Sequence, residues 1–165
     1  MASASLRSSQ SALNNPLLNH GERILLTLWV GGLWIIGYLA VPILFASLDD
    51  RIMAGMLAGK MFTALSYLGL FCGGLLLVKA LFTTSRPFAS WTVRLLLVML
   101  LIVVVGEFWI QPIMAELKIG GLVEGSEKAA RFGKLHGVAS SLYLINSLCG
   151  LALLLMSPRE IRAGE

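Results

Sequence analysis

Residues 91–111 read WTVRLLLVMLLIVVVGEFWIQ and contain only two charged residues, Arg94 and Glu107. A helix needs about 20 mostly apolar residues to cross a hydrocarbon core of roughly 30 Å. This stretch has that length. Its apolar residues form an unbroken run and not the alternating pattern of a membrane β-strand. The stretch is therefore predicted to be a transmembrane helix.

Three similar stretches surround it, so that spans are predicted at about residues 24–45, 61–82, 91–111 and 137–156. The 165-residue chain is 57% hydrophobic and its mean hydropathy is +0.82. We predict an all-α integral membrane protein, an antiparallel up-down four-helix transmembrane bundle over residues 21–158. Polar tails at 1–20, expected to be mobile, and 159–165 flank it. This composition excludes a soluble enzyme, a nucleic-acid-binding protein and a disulfide scaffold.

Helices 2 and 4 are predicted to extend beyond the membrane on the outer side. Asp49 or Asp50 can cap a helix that continues through Arg51 and Lys60 into the second span. Ser126 can cap the fourth helix in the same way. The short turn at 83–90 carries only basic charge, and positive charge near helix ends favours the cytoplasm. Both termini are therefore predicted to be cytoplasmic.

Helix 2 carries small residues at intervals of three or four, which places them on one face. The residues predicted to serve helix packing are Gly55, Gly59, Ser66, Gly69 and Gly73. In lipid, small residues allow close approach of helix backbones. The face could pack against a helix of the same chain, a second copy in a homo-oligomer, or a partner in a membrane complex.

Glu107 is the least expected residue, because an ionisable group within a span is costly and usually faces the bundle interior or a water-filled cavity. Other polar residues fall at a similar depth. The set predicted to bind a ligand or handle protons is Glu107, Gln111, His136, Ser140, Tyr143, Tyr38 and Tyr67. Two other interpretations stay open: Glu107 could reach water or cap a neighbouring helix, and the remaining residues could form interhelical hydrogen bonds.

Metal binding is a weaker hypothesis. His136, Met53, Met56 and Met114 all fall towards the outer side, and imidazole with thioether suits a soft ion such as Cu(I). Methionine is also a common filler of apolar helices. Cysteine spacing typical of zinc or haem sites is absent from the sequence, and so are nucleophile, phosphate-loop and metalloprotease motifs. An enzyme is therefore not favoured, and neither haem nor copper is strongly implied.

Several short motifs resemble one membrane family. They include Gly37-Tyr38-Leu39-Ala40, Pro42-Ile43-Leu44-Phe45, Asp50-Arg51 and Leu135-His136-Gly137. The chain is similar over about residues 21–156 to the uncharacterised bacterial family called domain of unknown function 4149, which is similar to eukaryotic transmembrane protein 205. The resemblance implies a four-helix protein of the bacterial inner membrane and brings no established reaction. A looser similarity links residues 31–34 to copper-resistance and porphyrin-oxidising membrane proteins.

The sequence thus favours a membrane protein with an outward-facing polar pocket that binds, or helps to transport, a small ligand or ion. A structural or assembly subunit of a larger membrane complex is the first alternative. A haem- or metal-linked redox protein is the second. The expected environment is the lipid bilayer, with no nucleic acid as partner.

Overall fold

The computed structural model describes residues 16–83, 89–119, 121, 123 and 125–155, and this part of the chain contains helices and no strand. The predicted tail at 159–165 lies outside the described residues, as does most of the tail at 1–20 and of the turn at 83–90. The helical fold class is confirmed for the described part.

Among the described residues, four helices are long and apolar enough to cross a membrane by length and composition. Helix α1 covers residues 16–47, α2 covers Arg51–Thr83, α3 covers Trp91–Lys118 and α4 covers Glu127–Leu155. Helix α1 begins at Pro16, before residue 21, where the bundle is predicted to start. Proline suits the first helical position, where its missing N–H would have had no helical partner.

The starts of α2 and α4 are fixed by side-chain caps. Asp50 Oδ1 accepts hydrogen bonds from the backbone N–H groups of Ile52 (2.8 Å) and Met53 (3.1 Å). Ser126 Oγ accepts one from the N–H of Ala129 at 3.1 Å. The predicted capping residues are thus confirmed. The two helices that they start are 33 and 29 residues long.

Helices α1 and α3 share an irregularity that the sequence did not predict. Each contains a π-helical turn, Ile36–Ala40 in α1 and Gly106–Ile110 in α3. In each helix a proline follows two residues later, Pro42 and Pro112. Proline lacks the N–H of a helical hydrogen bond, and its ring crowds the carbonyl four residues earlier. A locally widened turn relieves that crowding.

The hydrophobic core lies towards one end of the bundle, which we call the packed half. Its centre is Trp29 of α1, which is 0% exposed and packs with Cys72 and Leu76 of α2, Met99 of α3 and Leu153 of α4. Glycines make room for the indole ring, since a Cβ at Gly69 or Gly73 would lie less than 3.0 Å from it. The other half of the bundle contains the candidate site.

Candidate ligand-binding cavity

A cavity of about 1090 Å³ lies between the four helices. Its wall is drawn from residues 29–45 of α1, 51–66 of α2, 102–118 of α3 and 132–146 of α4. Sixteen residues separate its two ends on α1, which corresponds to a length of about 24 Å at 1.5 Å per residue. The later parts of α1 and α3 and the earlier parts of α2 and α4 therefore surround one elongated space, which we call the cavity half.

Six of the seven residues predicted to bind a ligand or handle protons line this cavity. They are Tyr38, Glu107, Gln111, His136, Ser140 and Tyr143. Tyr67 does not line it, and its side chain is 56% exposed on the outside of the bundle. The sequence places Tyr67 and Tyr143 at similar depth, but the two side chains point in different directions around their helices.

Glu107 lies in the π turn of α3 and is partly buried. Within the part of the chain that the structure describes, its carboxylate makes no hydrogen bond or ion pair. It therefore does not cap a described helix. Gln111 lies one turn further along α3, and its Nε2 is 3.6 Å from the position that a Cβ on Gly59 would take. The two polar groups thus follow one another along the α3 wall of the cavity.

Tyr143 joins α4 to α1. Its hydroxyl donates a hydrogen bond to the Leu33 carbonyl at 2.6 Å. Its ring lies against Gly37, where a Cβ would be less than 3.0 Å from the ring atoms. Interhelical hydrogen bonding, one of the two alternatives that the sequence leaves open for the polar residues, is therefore present at Tyr143.

An aromatic cluster continues from Tyr143 across the cavity wall. The ring of Phe62 on α2 meets Tyr143 edge-on with centroids 5.1 Å apart. The ring of Tyr38 on α1 lies 6.1 Å from Tyr143. Sequence reasoning did not single out Phe62, because one phenylalanine in an apolar run has no distinguishing signal. Three helices thus contribute one aromatic ring each at this level.

The deepest wall residues on the four helices are Trp29, Ser66, Ile102 and Asn146, and we call them the floor. Two floor atoms, Trp29 Nε1 and Asn146 Oδ1, are buried and have no hydrogen-bond partner. A buried polar group without a partner is unusual in proteins. Asparagine in the middle of an apolar span was the available sequence signal for this part of the cavity.

The small-residue face of α2 divides between two environments. Gly69 and Gly73 pack against Trp29 in the packed half. Gly55, Gly59 and Ser66 instead line the cavity. Both parts of the face therefore point towards other helices of the same chain: the first part lines the cavity, and the second packs against Trp29.

The residues weighed for metal binding are dispersed. His136, Met56 and Met114 line the cavity, whereas Met53 is exposed and lies outside the wall. The imidazole of His136 stacks on Phe132 with ring centroids 6.0 Å apart. Among the described residues there is no group of three or more His, Cys, Asp or Glu side chains that could hold a metal ion.

Two basic residues line the end of the cavity opposite the floor, which we call the mouth. Arg51 is the first residue of α2, and Lys118 is the last of α3. The Lys118 Nζ lies 5.5 Å from the centre of the Phe132 ring, a cation–π distance. Positive charge is thus concentrated at the helix ends, and Glu107 lies deeper.

Comparison with known proteins identifies a family and assigns no activity. The family described as domain of unknown function (DUF4149) matches residues 24–121, which include most of α1 and all of α2 and α3. Neither a curated protein nor a solved structure matched the chain. The match covers more than half of the sequence and confirms the family that the short motifs indicate, although the motif Leu135-His136-Gly137 lies beyond the matched residues. The chain belongs to the DUF4149 family.

Proposed function

We propose that this protein binds a small molecule within the membrane and holds it in the cavity between the four helices. The observation that carries this proposal is the cavity itself, about 1090 Å³ in volume and lined by all four membrane-length helices. Ligand sites commonly have volumes of about 300–1,000 Å³ and apolar walls with a few polar groups. A role in moving the ligand across or out of the bilayer is compatible with the same site.

The polar residues of the wall support a ligand site over dry packing. The side chains of Glu107, Gln111 and His136 make no hydrogen bond with any other described residue, although each residue lines the cavity. Ionisable side chains within membrane spans characteristically face a bundle interior or an aqueous cavity and mark functional paths. Unpaired groups directed at a common space are suited to a ligand that supplies their partners.

The main sequence argument for an assembly subunit no longer requires a partner protein. It rested on the small-residue face of α2, which is used by Trp29 at one end and by the cavity at the other. Binding in the cavity explains that face without a second copy or a partner protein.

The proposed topology is an up-down bundle in the bacterial inner membrane, with both termini cytoplasmic and the cavity mouth outside. At 33 residues α2 is about 50 Å long, which exceeds a hydrocarbon core of roughly 30 Å. The charged first turns of α2 and α4 would then project beyond the outer surface.

Cysteine labelling tests this orientation in a chain whose Cys72 and Cys149 are replaced by alanine. A membrane-impermeant maleimide should label Val123→Cys on intact cells. It should label Ala89→Cys only after the membrane is permeabilised. The reverse pattern would show that the mouth faces the cytoplasm.

Photolabelling with a neutral apolar probe, adamantyl diazirine, tests the cavity as a binding site. The purified protein in lipid nanodiscs should be labelled at wall residues, including Glu107 and Tyr38. Gly59→Leu should remove much of this labelling, because the added side chain extends into the cavity. Gly74→Leu is the matched control, since a Cβ at Gly74 meets nothing within 4 Å and Gly74 does not line the cavity.

Labelling of Phe71 provides an internal reference, since this side chain lies on the outer surface of α2. It should be equal in the unaltered protein, Gly59→Leu and Gly74→Leu. Wall labelling that is unchanged by Gly59→Leu, or that never exceeds labelling at Phe71, would contradict the proposed function.

A further inference from the structure

We propose that the ligand is an apolar organic cation, held by the Glu107 carboxylate against the aromatic cluster of Tyr38, Phe62 and Tyr143. This inference rests on the proposed function, since it specifies what the same cavity binds. It comes from the charge and the shape of the wall at one level of the bundle.

The proximity of the Gln111 side chain to Gly59 places Glu107 and the aromatic cluster at a similar depth. Phe62 lies three residues beyond Gly59 on α2, or about 4.5 Å nearer the floor. Glu107 lies four residues before Gln111 on α3, or about 6 Å nearer the floor. Phe62 in turn touches Tyr143, which touches Tyr38. A carboxylate and three aromatic rings therefore surround the middle of the cavity.

This combination is chemically suited to a cation. The faces of aromatic rings carry partial negative charge and attract cations, most strongly where water is removed. The phenolic proton of Tyr143 is already donated to the Leu33 carbonyl, so that its hydroxyl is not free to serve an anion as donor. The carboxylate of Glu107, which has no partner among the described residues, supplies the opposite charge.

The basic residues lie at a different level. Arg51 is eleven residues from Phe62 on α2, and Lys118 is eleven residues from Glu107 on α3. Each interval is about 16 Å along a helix, so that both cations lie about three turns from the middle of the cavity. The other titratable wall residues are His136, seven residues or about 10 Å from Tyr143, and the two tyrosines. Glu107 is thus the charged residue of the middle level.

The size of the cavity favours an organic cation over a bare metal ion. Calcium and magnesium require about six or more oxygen ligands at short distance. The wall offers one carboxylate within an elongated space of about 1090 Å³. A molecule with several rings or branches can fill such a space, contact the aromatic residues and place its charge near Glu107.

Two ions of nearly the same shape and opposite charge test this inference. Tetraphenylphosphonium is a cation and tetraphenylborate an anion, and each carries four phenyl rings. Saturable binding of each is measured by equilibrium dialysis to the full chain in nanodiscs, with subtraction of uptake by empty nanodiscs of the same lipid. The cation should bind at least about tenfold more tightly than the anion.

Variants of Glu107 separate charge from shape. Glu107→Gln should weaken cation binding about tenfold or more and leave anion binding within about twofold, whereas Glu107→Asp should retain most of the cation affinity. Glu116→Gln is the matched control, because Glu116 belongs to the same helix, is exposed and does not line the cavity. It should behave as the unaltered protein does.

The outcomes distinguish the two proposals. If the anion binds as tightly as the cation, and Gly59→Leu blocks both, the cavity is a binding site but the charge preference is wrong. Cation binding that survives Glu107→Gln would likewise overturn the role of Glu107. If neither ion binds in a way that Gly59→Leu abolishes, and photolabelling also fails, the proposed function falls together with this inference.

Discussion

The packed half and the cavity half of the bundle are built from the same four helices but bury their side chains very differently. Trp29, Val30, Val93 and Met99 are at most 1% exposed in the packed half. In the cavity half α2 and α3 still bury Ala54, Ala58 and Ile110. Residues 36–47 of α1, however, include no buried side chain, and α4 has none before Asn146. The helices therefore approach closely at one end and leave an elongated space at the other.

Two local features account for the difference. In the packed half the indole of Trp29 fills the space that Gly69 and Gly73 leave open. In the cavity half Gly55 and Gly59 also lack a side chain, but no large side chain fills the space beside them. The nearest side-chain atom would lie 3.9 Å from a Cβ at Gly55 and 3.6 Å from a Cβ at Gly59. The π turns of α1 and α3 also fall in the cavity half. Glycine thus permits close packing only where a large side chain faces it.

Matched glycine substitutions give the largest expected effect, and its sign should differ between the halves. Gly69→Ala should destabilise the protein by about 1–3 kcal/mol, because the new Cβ would overlap the rigid indole of Trp29. Gly59→Ala should instead be neutral or stabilising by up to about 1 kcal/mol, because alanine is the better helix former and has room. Unfolding by denaturing detergent, followed by circular dichroism, measures both.

Gly74→Ala provides the baseline for helix propensity alone, since a Cβ there meets nothing within 4 Å. Equal destabilisation by Gly59→Ala and Gly69→Ala would show that the two halves are packed alike in the membrane. That result would also remove the physical basis of the cavity.

The existence of the four helices could be predicted from the sequence, because burial in lipid demands long runs of apolar residues. The Asp50 and Ser126 caps could be predicted as well, since capping depends on neighbours within one turn. The π turns could not, because a proline within a span is compatible with a kink, a helix end or a widened turn. Which of these forms depends on the packing of other helices around Pro42 and Pro112.

The sequence could not predict the direction in which a site residue points around its helix. Depth follows from counting residues, and it placed Tyr67 and Tyr143 at similar levels. In a soluble bundle a polar face would show which of the two points outward. In lipid the outward face is apolar as well, so that hydropathy does not separate a wall residue from a lipid-facing one. Glu107 was easier to identify, because a carboxylate facing lipid is costly.

The smallest expected effect comes from the hydrogen bond by which Tyr143 ties α4 to α1 across the cavity wall. Tyr143→Phe keeps the ring against Phe62 and Gly37 but removes the donor to the Leu33 carbonyl. Interhelical hydrogen bonds in membranes contribute about 0.6 kcal/mol on average, and we expect a loss of that order in the free energy of unfolding.

Tyr67→Phe is the matched control and should cost nothing measurable, because this side chain is exposed outside the bundle and no hydrogen bond ties it to another described residue. Equal losses from the two substitutions would place Tyr143 in the same environment as Tyr67. A loss of several kcal/mol from Tyr143→Phe would show that the cavity half depends on this bond as strongly as the packed half depends on Trp29.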